Sequence, residues 1–177
     1  MQPSIASTLR QALDYLAKVS QWRIQTCFNP SAQTPSSSTF PSLPDDWLAA
    51  DTPITEYIQT HRLNPSEQLL LLIAIAPHLQ PDFFDQWITA QLPQAGDYPQ
   101  IGGWRGTTHR GFLPTGETGL FLLGGIELAE RFSYYKLFSE EHLFAQQGML
   151  YLHPVPTGEP RMSGKLIMAQ DSVDWFT

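Results

Sequence analysis

A chain of 177 residues and 19.9 kDa accommodates one principal core and not two full-sized ones. With 42% hydrophobic and 12% aromatic residues it holds enough apolar area to offset the ordering entropy of folding, while 10 Lys and Arg against 17 Asp and Glu give a formal charge of −7 that opposes general adhesion to phosphate backbones or anionic membranes. The single cysteine, Cys27, excludes an internal disulfide and cannot supply the thiolates of a typical structural zinc site.

In chain order, Pro3 to about Thr26 predicts a helix, because Ile5, Leu9, Leu13, Leu16, Val19 and Trp22 recur at steps of four and three. Arg10, Gln11, Asp14 and Lys18 occupy the opposite face. Such a stripe serves either docking on its own domain or pairing with another chain. From Phe28 to Pro53 the composition turns to SAQTPSSSTFPSLP, which propagates neither a helix nor a ladder, so a linker is expected there. Asp45, Asp46, Trp47 and Leu48 near its end are placed to anchor a turn on the core.

Ile54 to His61 predicts one or two helical turns, and Asn64-Pro65-Ser66-Glu67 then gives a strong start signal of Asn cap, proline at the first helical position and Glu three residues after the cap. Leu69 to Ala76 is apolar on every face and predicts the central core helix, ended by Pro77. At eight residues, this longest aliphatic run is far short of the roughly 20 that cross a bilayer. No transmembrane helix is therefore expected. Nor does a basic stretch lead into an apolar core at the N-terminus, as a secretory signal would, so a cytoplasmic location is expected.

Pro81 predicts the opening of a second helix with Phe83, Phe84, Trp87 and Ile88 inward and Asp82 and Asp85 in its first turn. After the Gly102-Gly103-Trp104-Arg105-Gly106 break, a third helix is expected to start at Thr115 and stop at Gly124-Gly125. Ile126 to about Phe138 reads as helix or, through Phe132, Tyr134 and Tyr135, as strand. Met149–His153 and Lys165–Ala169 predict a hairpin joined by a long Pro/Gly loop. The expected fold is α+β, mainly α: a winged-helix-like core of three helices and a C-terminal β-hairpin over 54–177, an N-terminal helical extension over 1–27, and a Pro/Ser-rich linker over 28–53.

The stretch LLLLIAIAPHLQPDFFDQW, then GGWRGTTHRGFLPTGETGLFLLGG, then LF followed by HLF, and finally GEPRMSGKLIMAQ resembles the region upstream of the ATPase module in bacterial AAA+ ATPases of contractile injection systems, the phage-tail-like particles. The resemblance covers about Pro65 to Gln170, and its most specific segment is Gly102 to Gly125. It implies a variant winged-helix domain, with an ATPase module in the full-length protein. Within this chain the nearest approach to a phosphate loop, GEPRMSGKL at Gly158 to Leu166, fails on spacing and carries Leu166 where a hydroxyl should bind magnesium. No nucleotide or other cofactor is expected in this chain.

His109, Arg110 and Glu117 surround a Gly-rich turn, a grouping that could serve acid–base chemistry. Glu117 also lies where a carboxylate complements a helix N-terminus. His61, His78, His142 and His153 form no i, i+4 pair, so no metal site is expected, and no G-x-S-x-G occurs. The third helix, Thr115 to Leu123, has no Lys or Arg with which to read or neutralise DNA. Trp104, Arg105, Arg110 and Phe112 are side-chain types enriched at contact hot spots. With His109 and Glu117 they form the candidate partner surface, and no catalytic residue is assigned. The expected role is a non-catalytic N-terminal contact domain. It would meet its own ATPase module, neighbouring protomers or a particle component, and neither nucleic acid nor membrane. The rival readings are a free-standing winged-helix DNA-binding regulator and a small hydrolase working at His109 and Glu117.

Overall fold

The computed structural model describes residues 4–29, 40–44 and 46–177. In chain order the helices are α1 (Ile5–Phe28), α2 (Pro53–His61), α3 (Pro65–Leu79), α4 (Phe83–Trp87), α5 (Gly116–Gly124), α6 (Leu128–Tyr134), α7 (Leu143–Gln146) and α8 (Gln170–Phe176). Two antiparallel pairs, β1 (Trp104–Arg105) with β2 (Phe112–Leu113) and β3 (Leu150–Leu152) with β4 (Leu166–Met168), complete an α+β fold that is mainly helical.

Helix α3 starts where its signal lies. The Asn64 side chain accepts from the N–H groups of Ser66 and Glu67 at 3.0 and 3.1 Å, and the Glu67 carboxylate accepts the Asn64 N–H at 2.7 Å. Every residue from Leu69 to Ala76 is buried. At roughly 1.5–3 kcal/mol for each large aliphatic side chain, this helix contributes a large share of the burial energy. Pro77 does not end it, contrary to the sequence expectation: the helix continues to Leu79, and the Gln80 N–H still reaches the Ala76 carbonyl at 2.9 Å. Pro77 removes one bond, the one to Ile73, in a turn that was about to close. Helix α4 likewise begins at Phe83 rather than Pro81, with Phe83, Phe84 and Ile88 buried and Trp87 half-buried.

Helix α1 takes the first of the two uses open to its stripe and docks on its own domain. It is a wall of the same core, packed on α3 and α5. Its buried face is rotated from the predicted stripe: Thr8, Leu9, Ala12, Tyr15, Leu16, Val19, Ser20 and Ile24 point in, whereas Ile5 is exposed and Leu13 and Trp22 are half-buried. Arg23 lies on this inward face and donates to the carbonyls of Leu122 at 3.1 and 3.3 Å and Leu123 at 2.8 Å. Those carbonyls are orphans of the α5 C-terminus, beside Gly125 at φ +70°. Trp22 instead meets Phe40 edge-to-face at 5.4 Å.

Of the predicted linker, 30–39 and Asp45 lie outside the described residues, as does the predicted helix start at Pro3. Its later part belongs to the fold. Trp47 is fully buried in a short 3-10 turn, and its indole N–H donates to the Thr8 carbonyl at 2.9 Å. Helix α8 had no expectation in the sequence; it packs on α2 and seats Phe176 against Tyr57.

Helix α5 spans the predicted third helix, with Thr115 and Thr118 exchanging side-chain to backbone bonds at its start. The ambiguous segment after it is helical, as α6 and a 3-10 turn at Tyr135–Phe138. The β3–β4 hairpin pairs Leu150 with Met168, Tyr151 with Ile167 and Leu152 with Leu166. Chain entering α5 joins the free edge of β4: Leu166 N–H donates to the Pro114 carbonyl at 2.9 Å and Gly116 N–H to the Gly164 carbonyl at 3.0 Å.

Candidate interaction surface

The segment from Gly102 to Phe112 folds back on itself as the β1–β2 hairpin, Trp104 opposite Leu113 and Arg105 opposite Phe112. Gly102 and Gly103 take φ values of +73° and +103°, and a Cβ on Gly103 would collide with the Phe112 ring. Glycine is thus needed for the strand to pass over that ring. Asp85, on α4, holds the hairpin from behind. One carboxylate oxygen accepts the Phe112 N–H at 2.8 Å and the other pairs with the Arg105 guanidinium at 3.0 Å. Arg105 also donates to the Arg110 carbonyl at 2.7 Å, closing the loop across its own neck.

These bonds divide the six candidate residues. Trp104 is 48% exposed and carries the Lys165 ammonium 5.5 Å from its ring centre, a cation–π distance. Arg110 is exposed. Arg105 remains mostly exposed although both ends of its guanidinium are engaged. Phe112 is not at the surface: it is buried against Phe84 with ring centres 5.7 Å apart, because strand geometry turns it toward α4. Glu117 is half-buried in an ion pair with Arg131, whose guanidinium also donates to the Gly125 and Gln100 carbonyls. It ties α5 to α6. Both Phe112 and Glu117 therefore act inside the fold, and the exposed candidates are Trp104, Arg105 and Arg110.

His109 is half-buried, with Nε2 enclosed and without a hydrogen-bond partner. It lines an apolar groove of about 350 Å³ with His78, Leu113, Pro114 and Lys165. Burial, reinforced by neighbouring His109, holds the His78 imidazole below its usual pKa. Glu117 faces a different cavity, with Thr115, Gly102 and Gly103, so the suggested His109 and Glu117 pair does not share one site. Gly158 to Leu166 forms a turn, a 3-10 segment and the start of β4, not a loop that leads into a helix. Helix α5 is buried throughout except for half-buried Glu117.

Sequence reasoning missed two features of this surface. Asp85 has no local signal, since its partners lie 20 and 27 positions away. The other is a row of exposed apolar side chains following α5, namely Ile126, Leu128, Phe132 and Tyr135. Its signal was present as the i, i+4, i+7 spacing of Leu128, Phe132 and Tyr135. Among the described residues, no three His, Cys, Asp or Glu side chains cluster as metal ligands would, and no helix is long and apolar enough to cross a membrane. Comparison with protein-family models, curated proteins and solved structures finds no match to this chain.

Proposed function

We propose that this chain is the non-catalytic N-terminal contact domain of a AAA+ ATPase of the contractile-injection-system type. It would be winged-helix-like, meeting its own ATPase module, a neighbouring protomer or a particle component through the β1–β2 hairpin. The observation that carries the reading is a hairpin braced from behind by Asp85 that still leaves Trp104 and Arg110 exposed. A side chain as large as Trp, exposed on a fixed backbone, loses little entropy on binding, which is the character of a contact hot spot. The order α3, α4, α5 and then the β3–β4 hairpin, with chain before α5 added to the β4 edge, supports the winged-helix description. A buried α5 with no Lys or Arg favours protein over DNA as the partner.

The test joins Trp104→Ala and Arg110→Ala in the chain together with the downstream module that the coding sequence specifies. The double variant is expected to melt within a few degrees of the parent, since Arg110 is exposed and Trp104 is about half exposed outside the core. Ring assembly, followed by light scattering, is expected to fail. Normal assembly, or a downstream sequence without a phosphate-binding loop, would overturn the proposal. Salt-sensitive, sub-micromolar binding to duplex DNA would instead favour the regulator.

A further inference from the structure

The groove of about 350 Å³ between the last turns of α3 and strand β4 has walls of one kind and charge of one sign. Ala74 and Pro77 on α3, Leu113 and Pro114 before α5, and Leu166 with Met168 make it apolar. His78, His109 and Lys165 supply its polar side chains, and among the described residues no carboxylate lines it. In a chain whose formal charge is −7, such a lining is the reverse of the average surface.

The positive charge there is not compensated from within the fold. Lys165 is half-buried and forms no ion pair among the described residues. Its ammonium rests against the Trp104 ring, and an aromatic face attracts the charge without accepting three hydrogen bonds as an anion does. Burial, and then the neighbouring His109, disfavour a charged His78, which near neutral pH is therefore an uncharged N–H donor. His109 Nε2 is enclosed in the wall rather than presented to the groove. Asp85 stands behind it, both atoms lying close to where a Cβ on Gly111 would be, but that carboxylate is already bonded to Arg105 and the Phe112 N–H. Lys165 and His78 are left to meet a ligand.

We infer that this groove binds a small monocarboxylate with a compact apolar body, its carboxylate on Lys165 and His78 and its body against the walls. A dry cavity of about 150 Å³ holds a benzene ring, so the groove takes a ring with a short acid-bearing arm. A neutral ligand of the same shape would cover the ammonium without pairing it, which is costly, and a cationic one would be repelled. A bare anion such as phosphate makes no use of the apolar walls. The volume falls at the lower end of small-molecule sites, about 300–1,000 Å³, and suits a ligand of that class. The inference rests on the groove alone and not on the role proposed for the β1–β2 hairpin.

The experiment is calorimetric titration of the intact chain with phenylpropanoate near neutral pH, and saturable binding is expected. Phenylpropanol, which lacks the charge, phenylpropylamine, which reverses it, and acetate, which lacks the body, should each bind at least about tenfold more weakly. Lys165→Met, which keeps the length of the stem, should weaken the acid at least about tenfold and leave the alcohol unchanged, whereas Trp104→Ala should keep the preference for the acid. Amide chemical shifts on titration should move mainly at His78 and from Lys165 to Met168. The ligand series on the unaltered chain makes the same test without any variant. The inference is overturned by the absence of saturable binding, by equal binding of the alcohol, or by undiminished acid binding in a folded Lys165→Met chain. Equal binding of N-acetylphenylalanine amide would overturn it in favour of an inserted peptide side chain.

Discussion

Asp85 gives a direct measure of how the hairpin is held. Replacing it with Ala removes the acceptor of the Phe112 N–H, a half-buried group left without a partner, and releases Arg105. A hydrogen bond from a backbone N–H to a carboxylate contributes roughly 1.5–3 kcal/mol, with partial solvent access favouring the lower half of that range. The Arg105 pair adds about 0–1 kcal/mol, because the guanidinium side is 56% exposed. The expected loss for Asp85→Ala is therefore about 2–3 kcal/mol, or about 5–10 °C for a chain of this size. Arg105→Ala removes the exposed ion pair and the bond to the Arg110 carbonyl, and is expected to cost only about 1 kcal/mol because both are solvent-accessible. Urea unfolding followed by near-UV circular dichroism reads both values, with the slope unchanged if the native state keeps its compactness. If Arg105→Ala costs as much as Asp85→Ala, the hairpin is held by the ion pair and not by the backbone anchor, and the reasoning fails.

Arg23→Met should cost about 2 kcal/mol, because it strips the donors from two carbonyls at the α5 C-terminus along with a favourable charge at that end of the helix dipole. Gly125→Ala places a Cβ 2.9 Å from the Arg23 guanidinium and strains a φ of +70°, so the two losses should be less than additive in a double-mutant cycle; full additivity would refute a shared cap. His78 has its folded pKa lowered by burial and by His109, so below about pH 6.5 the unfolded chain takes the proton first. Its contribution is therefore complete above that pH and lost as pH falls, and His78→Gln should flatten the stability profile between about pH 7 and pH 5. An unchanged profile would place the acid sensitivity elsewhere.

Interactions confined to a few consecutive residues were readable in the sequence. The Asn64-Pro65-Ser66-Glu67 start of α3 and the Thr115 start of α5 are of this kind, each built from side chains bonding to backbone two or three positions away. The β3–β4 pair was equally legible from two apolar runs flanking a Pro/Gly loop. What was hidden depends on distant partners. The rotated face of α1 carries Arg23 to carbonyls 99 and 100 positions later, and no periodicity anticipates a cation pointing inward. Trp104 and Phe112 look alike as aromatics beside glycines; only strand pairing and α4 decide that one faces water and the other the core. The four apolar residues from Ile126 to Tyr135 invite assignment to a core, and their exposure is visible only once Gly124 is seen to fix the helix facing outward.

The long reach of Arg23 also bears on how the protein is made. During synthesis α1 leaves the ribosome before α5, and the Arg23 guanidinium has no α5 carbonyl to bind until 99 further residues have been added. At roughly 5–20 residues per second that interval is about 5–20 s. Throughout it the buried face of α1 lacks its α5 neighbour. The nascent helix thus holds its apolar face open for that interval. Rare codons between α1 and α5 would lengthen its exposure, and slower translation there should lower the soluble yield without altering the finished fold.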